Sequence, residues 1–374
     1  MTEPFRAATG SFVVEPGVER SAVELGFAPG ALMCWWGQDG GGNAGGVGFA
    51  SEAQVATCWA SADAATPTRT TRAVADAGVL ALDPAGEVAL RGELELATSG
   101  FAVNWSTPAR SRWTVRYLAL GGVVAASGAI ESPTAASTVD TALGSRPDGV
   151  LVAPTGAEAL DRPERGLTAA VGAAGRRGQA GSAYISLNGA DEPDVAGSQR
   201  RDAAVAVPAG VADIAALARL AMTRDGFTSE WETVWPTARL VPYLALGGVR
   251  CKVGLAAAPS ERVRVGFRPD ALLAFSWGLS GRTEPAHIGR LCIGAATPEG
   301  GGCLSWDDRN VGGGPSSTHV HSSDSDLLVV TDTQTGGVHA AASVKSFDRR
   351  GFTLEWTTSD RIDRELVWVA LAAR

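Results

Sequence analysis

The stretch Gly351-Phe352-Thr353-Leu354-Glu355-Trp356 decides the fold, because versions of it occur three times in the chain. The other two are Gly226-Phe227-Thr228-Ser229-Glu230-Trp231 and Gly100-Phe101-Ala102-Val103-Asn104-Trp105, with the glycines 126 and 125 residues apart. Apolar side chains alternate with polar ones in the first version, which is the period of a β-strand. The preceding glycine suggests a turn that needs a positive φ. Similarity at a fixed spacing predicts three copies of one module.

An aromatic residue follows each of these glycines after 17 positions, within an apolar run. Because these runs are apolar on both faces, they predict a strand in the middle of a sandwich. The third copy has Val367 to Leu371 there. The repeat motifs thus rest on a set of glycine and aromatic positions: Gly100, Phe101, Trp105, Tyr117, Gly226, Phe227, Trp231, Tyr243, Gly351, Phe352, Trp356 and Trp368.

Two further motifs recur in each copy. A glycine- and proline-containing opening motif occupies residues 26–32, 144–150 and 266–272. A short apolar-glycine motif follows it, at Val47-Gly48, Val171-Gly172 and Ile293-Gly294. The opening motif precedes the Gly-Phe motif by 74, 82 and 85 residues, so the variable length lies between them, where loops are expected.

These spacings divide the chain into copy one (residues 1–122), copy two (123–248, the most divergent) and copy three (249–374). We predict an all-β protein of three tandem antiparallel β-sandwich domains that are jelly-roll-like. No flexible linker separates the copies. They therefore form either a straight row or a pseudo-threefold ring that resembles a fused trimer.

One segment has a local preference that opposes this fold. Residues 213–222 are rich in alanine and leucine and have strong helix propensity. By their offset from the Gly-Phe motif, however, Leu96, Met222 and Phe347 are equivalent. We therefore predict a strand in all three copies, with a short helix confined to copy two as the alternative.

Composition and charge limit the function. The chain carries a net charge of −8, and the sequence gathers Lys and Arg into no stripe, which argues against nucleic acid as a partner. The first ten residues lack the apolar segment of a signal peptide, and no apolar run reaches the ~18 residues of a membrane helix. The five cysteines form no C-x-x-C pair and are expected to be buried thiols.

All four histidines lie in copy three, and no G-x-S-x-G motif accompanies them, so we predict no catalytic residues and no cofactor. His319 and His321 would lie on one face of a strand, near Asp324 and Asp326. They are weak candidates for a metal site. A solvated polar loop is the favoured interpretation, so no metal is predicted.

Acidic residues offer two other candidates. Glu230 and Glu355 lie on corresponding strands of different copies, too far apart for a glycosidase pair, and are interpreted as exposed strand residues. Asp307 and Asp308 could bind calcium or a sugar, but a turn is the favoured interpretation. Most of the Trp residues outside the motifs are expected in cores: Trp35, Trp36, Trp59, Trp113, Trp235, Trp277 and Trp306.

The combined motifs resemble a β-sandwich module that recurs in virion structural proteins of tailed bacteriophages and phage-like particles. The resemblance covers nearly the whole chain and is clearest in copy three. It implies a non-enzymatic virion protein without a cofactor, either a capsid decoration or a tail or baseplate component. Its partners would be other virion proteins in a large assembly, and it would be made in the host cytoplasm.

A carbohydrate-binding protein for host attachment is the alternative, with a host surface glycan as its partner. This alternative predicts an exposed Trp or Tyr at equivalent loop positions in all copies. Trp35, Trp36 and Trp277 align only roughly, and copy two has Ala153-Pro154 there.

Overall fold

The structure is a computed structural model that describes residues 3–40, 42–257, 262–278, 285–309, 314–333, 335–358 and 364–374. Within these ranges every regular element is a β-strand, and the sheets are antiparallel, so the all-β class is confirmed. No helix of the described residues is long and apolar enough to cross a membrane.

The strands fall into three series that follow the copies. Copy one contains β1 (Arg6–Val14), β2 (Arg20–Glu24), β3 (Ala31–Gln38), β4 (Asn43–Ala50), β5 (Gln54–Ser61), β6 (Thr70–Ala75), β7 (Val79–Leu82), β8 (Val88–Ala97), β9 (Gly100–Thr107) and β10 (Trp113–Gly121). Copy two contains β11 (Val124–Glu131), β12 (Thr138–Ala142), β13 (Gly149–Val152), β14 (Glu164–Arg165), β15 (Leu167–Gly175), β16 (Gln179–Ser186), β17 (Val195–Arg200), β18 (Val205–Pro208), β19 (Ile214–Met222), β20 (Gly226–Thr233) and β21 (Leu240–Gly247). Copy three contains β22 (Val249–Ala257), β23 (Arg262–Arg264), β24 (Ala271–Ser276), β25 (Gly289–Thr297), β26 (Gly300–Asp308), β27 (Thr318–Ser323), β28 (Leu328–Thr331), β29 (Val338–Asp348), β30 (Gly351–Thr358) and β31 (Glu365–Ala373).

Each copy contributes one large sheet and one four-stranded sheet with the same strand order. In copy one these are β1-β10-β3-β4-β5-β6 and β2-β9-β8-β7, and the short β14 of copy two extends the large sheet. In every copy, four consecutive strands form a meander in the large sheet and three form a meander in the small one. A jelly roll instead contains two Greek keys. The structure is therefore β-sandwich-like, but this strand order differs from the jelly-roll-like order that we expected.

An apolar core lies between the two sheets of each copy, and one aromatic pair recurs in it. Phe101 and Tyr117 meet edge to face with ring centroids 5.1 Å apart. The equivalent pairs, Phe227–Tyr243 and Phe352–Trp368, are 5.4 and 5.9 Å apart in the same arrangement. The first ring lies on the small sheet and the second on the large sheet. The constant 17-residue offset therefore reflects a direct contact across the sandwich.

Glycine is needed at the motif positions for different physical reasons. The opening-motif glycines Gly26, Gly144 and Gly266 have φ values of +71°, +74° and +101°, a conformation that favours glycine. Gly351 does not, so the turn with positive φ that we expected there is wrong. A Cβ on Gly351 would lie 1.9 Å from the carbonyl oxygen of Val263. Gly100 and Gly226 show the same approach to the neighbouring edge strand. These glycines allow two backbones to come close together.

The segment with helix propensity is a strand. β19 pairs with β20, and Met222 lies opposite Phe227 in the register. Leu96 lies opposite Phe101, and Phe347 lies opposite Phe352. The predicted equivalence of the three residues is confirmed, and the short helix in copy two is wrong. Tertiary pairing therefore overrides the local propensity of this segment.

The three large sheets surround a common apolar core, to which all three copies contribute. β5 of copy one packs against β15 of copy two, and β16 of copy two packs against β25 of copy three. β26 of copy three then packs against β4 of copy one. Because the third copy returns to the first through equivalent strands, the contacts close a pseudo-threefold ring rather than a row.

Candidate functional site at the junction of the three copies

Equivalent strands β5, β16 and β26 carry a large aromatic residue near their ends: Trp59, Tyr184 and Trp306. All three side chains belong to the common core, and the rings of Trp59 and Trp306 meet edge to face at 5.2 Å. Two residues further along each strand lie Ser61, Ser186 and Asp308, which point to the same side because side chains alternate along a strand. The pseudo-threefold axis therefore ends in polar residues.

Asn43 joins the three copies at this point, which we call the axial polar cluster (Asn43, Ser61, Tyr184, Ser186 and Asp308). Its side-chain amide donates to the hydroxyl of Tyr184 at 2.5 Å and to Oδ1 of Asp308 at 2.6 Å. Asn43 belongs to copy one, Tyr184 to copy two and Asp308 to copy three. All members of the cluster are at most 3% exposed. A polar network thus links all three copies away from water.

Burial determines the charge state of this cluster. Desolvation is the main cause that raises the pKa of Asp308 to about 7, and Asp307 adds to the rise. Hydrogen bonds with Asn43, Ser186 and Ser61 oppose the rise. A carboxyl group in this position is neutral in a large fraction of molecules near neutral pH.

Two acceptor atoms of the cluster lack a well-aligned protein donor among the described residues. These are Oδ1 of Asn43 and Oδ2 of Asp308. The hydroxyls of Ser61 and Ser186 lie close enough to Asp308 to affect its pKa, but neither makes a well-aligned hydrogen bond with Oδ2.

Loops from different copies cover this end of the axis. The backbone N–H of Ala64 and of Ala65 in copy one donate to the carbonyl and hydroxyl oxygens of Ser316 in copy three, at 2.8 and 2.9 Å. The backbone N–H of Thr68 donates to the carbonyl of Ala190 in copy two at 2.9 Å. These bonds hold the loops together over the cluster and exclude solvent from it.

Asp307 and Asp308 point to opposite faces of β26, so they belong to different surroundings. Asp307 accepts a hydrogen bond from the hydroxyl of Thr331 at 2.5 Å, and its other oxygen lies 2.8 Å from Nδ1 of His319. This hydrogen bond is the main cause that raises the pKa of His319. Both aspartates are buried within a strand, so the turn that we expected for them is wrong.

The structure does not bring the metal candidates together. His319 pairs with Asp307, whereas His321 lies opposite Ser305 in the register, and its pKa is lowered mainly by burial. Asp324 pairs with Arg116 of copy one at 2.6 Å. Among the described residues, no group of three His, Cys, Asp or Glu side chains is placed to hold a metal ion.

The other expected positions agree with the structure. Glu230 and Glu355 are exposed on separate sheets, as predicted. Ten of the eleven Trp residues are buried and the eleventh, Trp356, is half-buried, so their predicted place in cores is confirmed. The five cysteines are free; four are buried and Cys251 is half-buried.

Sequence reasoning missed Asn43 and Tyr184. Asn43 lies in a glycine-rich run, residues 40–46, that looks like a flexible hairpin tip, although β4 already begins at this residue. Tyr184 is aligned with two tryptophans through its strand register, and this alignment is the signal that could have identified it.

No protein-family model, curated protein or solved structure matches this chain.

Proposed function

We propose that the protein is a non-enzymatic structural component of the virion of a tailed phage or phage-like particle. The three copies act as tandem β-sandwich domains with boundaries at residues 122/123 and 248/249. We favour a location on the capsid, as a decoration protein at a local threefold position, over a location in the tail or baseplate. Its partners are the neighbouring virion proteins.

The observation that carries the proposal is the closed ring around a common apolar core. A component that sits on a local threefold axis must present three similar faces around that axis. One chain with three copies supplies them without assembling a trimer. A tail component built as a row would present the copies in succession instead.

Burial of the aromatic residues weakens the alternative of a carbohydrate-binding attachment protein. That alternative requires exposed aromatic rings at equivalent loops, whereas ten Trp side chains are at most 8% exposed. Trp35 and Trp277 in particular lie in the interior. The stacking surfaces on which this function depends are therefore occupied by protein.

The test is electron cryomicroscopy of particles purified from the source together with this chain. We expect the protein to co-purify at a fixed ratio to the capsid protein and to give density at local threefold positions. A chain that stays a monomer in solution and binds no particle would contradict the proposal.

A further inference from the structure

Two neighbouring clefts lie along β22, where copy three meets copy two. Their volumes are about 580 and 470 Å³, and both are lined by Lys252, Val265 and Gly266. Together they contain eight basic side chains and two carboxylates among the described residues, a surplus of six positive charges. We call the surface that the two clefts form together the basic cleft. Its basic residues range from position 176 to 374, so the fold gathers positive charge that shows no stripe in the sequence.

Several of these positive charges have no carboxylate partner in the structure. Asp148 pairs with Arg374 at 2.6 Å and with Arg176 at 2.9 Å. Among the described residues, no carboxylate lies within ion-pair distance of Arg177, Arg264 or Arg350. The chain as a whole has eight more acidic than basic residues. Arginines that remain unpaired in such a chain are available to an external anion.

The equivalent junction between copies three and one lacks this character. Its cleft contains Arg6, Asp270 and Glu299, so acids outnumber bases there. Glu299 lies in the turn between β25 and β26, which corresponds to the turn between β15 and β16 that carries Arg176 and Arg177. The positive charge is therefore a property of one junction and not of the repeated scaffold.

We propose that the basic cleft binds an acidic polysaccharide. Guanidinium groups form paired hydrogen bonds with planar or tetrahedral oxyanions. A single terminal nitrogen of Arg374, Nη2, already donates to both carboxylate oxygens of Asp148, at 2.6 and 2.7 Å. Two neighbouring open clefts with separated cations suit an extended chain that carries acidic groups at intervals. This proposal does not depend on the proposed place in a particle.

The walls of the cleft favour this ligand over single-stranded nucleic acid. Single-stranded nucleic acids need bare aromatic faces for stacking. The aromatic ring in the cleft is Phe267, and the guanidinium of Arg250 lies 4.7 Å from its centre. An acidic peptide could pair its carboxylates with the same arginines, so poly-glutamate is included in the test as a competing probe.

The test compares binding of defined polymers to the full chain and to variants with two charges reversed. The probes are heparin, hyaluronate, neutral dextran, poly-glutamate and single-stranded DNA, in buffer of about 50 mM salt so that screening is weak. We expect the chain to bind heparin, hyaluronate or both. Stronger binding of heparin would indicate a preference for sulfate groups, and stronger binding of hyaluronate a preference for carboxylate groups. R177E/R264E should weaken this binding about tenfold or more, because two cations are replaced by anions.

The control variant R110E/R224E makes the same change of net charge at exposed arginines outside the cleft. It should bind as the original chain does. Equal loss in both variants, binding of neutral dextran, or no binding to either acidic polysaccharide would overturn the proposal. Tighter binding of poly-glutamate or of single-stranded DNA than of the acidic polysaccharides would also overturn it.

Discussion

At the residue scale, the buried carboxyl of Asp308 makes the stability depend on pH. Its pKa of about 7 in the folded chain lies above the ordinary value of 3.8. The folded protein therefore binds this proton more tightly than the unfolded chain does. The contribution of this proton to the free energy of unfolding is complete below about pH 4 and is lost as the pH rises through about 7. The difference between the two pKa values corresponds to about 4 kcal/mol of that free energy.

The variant D308N keeps an acceptor for Asn43 and removes the ionisation. We expect its free energy of unfolding to exceed that of the original chain at pH 8 and to vary less between pH 5 and pH 8. Denaturant titrations at both pH values measure this. D140N, which removes an exposed carboxyl on β12, serves as the control and should keep the original pH dependence. A D308N chain with an unchanged pH dependence would contradict the assigned role.

Also at this scale, the apolar-glycine motif depends on the absence of a side chain. A Cβ on Gly48 would lie 1.9 Å from the carbonyl oxygen of Gly78, and Gly172 and Gly294 make equivalent approaches. G48A should lower the free energy of unfolding by about 3 kcal/mol or prevent folding, because a backbone must move to make room. G210A is the control, since a Cβ there meets no atom within 4 Å. Similar unfolding curves for the two variants would show that the close approach is absent.

At the scale of elements, the short strand β14 fastens copy two to copy one. It pairs with β6, and Glu164 lies opposite Arg72 in the register. Glu164 also forms ion pairs with Arg72 at 3.6 Å and with Arg239 at 3.1 Å. All three side chains are less than 20% exposed. The exposed Arg162 pairs with Glu164 as well, at 3.4 Å, and Arg239 also pairs with Glu158 at 3.0 Å. Three arginines thus share one mostly buried carboxylate at this junction.

E164Q removes the carboxylate that pairs with Arg72, whereas Arg239 keeps its pair with Glu158. We expect a loss of about 3 kcal/mol in the free energy of unfolding, since breaking a buried pair leaves uncompensated charge. E95Q is the control, because Glu95 pairs with Arg20 at an exposed site and should contribute less than about 1 kcal/mol. Thermal unfolding of both variants provides the comparison. A loss for E164Q no larger than for E95Q would argue against β14 as a fastening.

Elements also show what the sequence could predict. The motif strands, and the strand at residues 214–222, could be predicted from the repeated spacings. The spacing between motifs is the same in all copies even where the local helix propensity points to the wrong structure. The axial polar cluster did not follow from them. Asn43, Tyr184 and Asp308 are 141 and 124 residues apart in sequence, and only the closure of the ring brings them together. The positive charge of the basic cleft could not be predicted either, because its residues are far apart in the sequence and only the fold brings them together.

At the scale of the whole molecule, the common core and the axial polar cluster both require that the ring of three copies is closed. A row and a ring use the same strands and the same cores within each copy, so spectroscopy of secondary structure cannot distinguish them. They differ in whether copy three touches copy one. In the ring, Ala65 and Ser316 exchange backbone and side-chain hydrogen bonds at 3.1 and 2.9 Å, although 251 residues separate them.

The most direct measurement is therefore a cross-link between these two positions. A backbone hydrogen bond brings these two residues close together, and a disulfide spans a Cα separation of about 4.4–6.8 Å. We predict that A65C/S316C forms an intrachain disulfide under mild oxidation, which peptide mass mapping of the monomer will identify. The single variants A65C and S316C control for the five native cysteines. A monomer that forms no 65–316 cross-link, or that forms it only between chains, would contradict the closed ring.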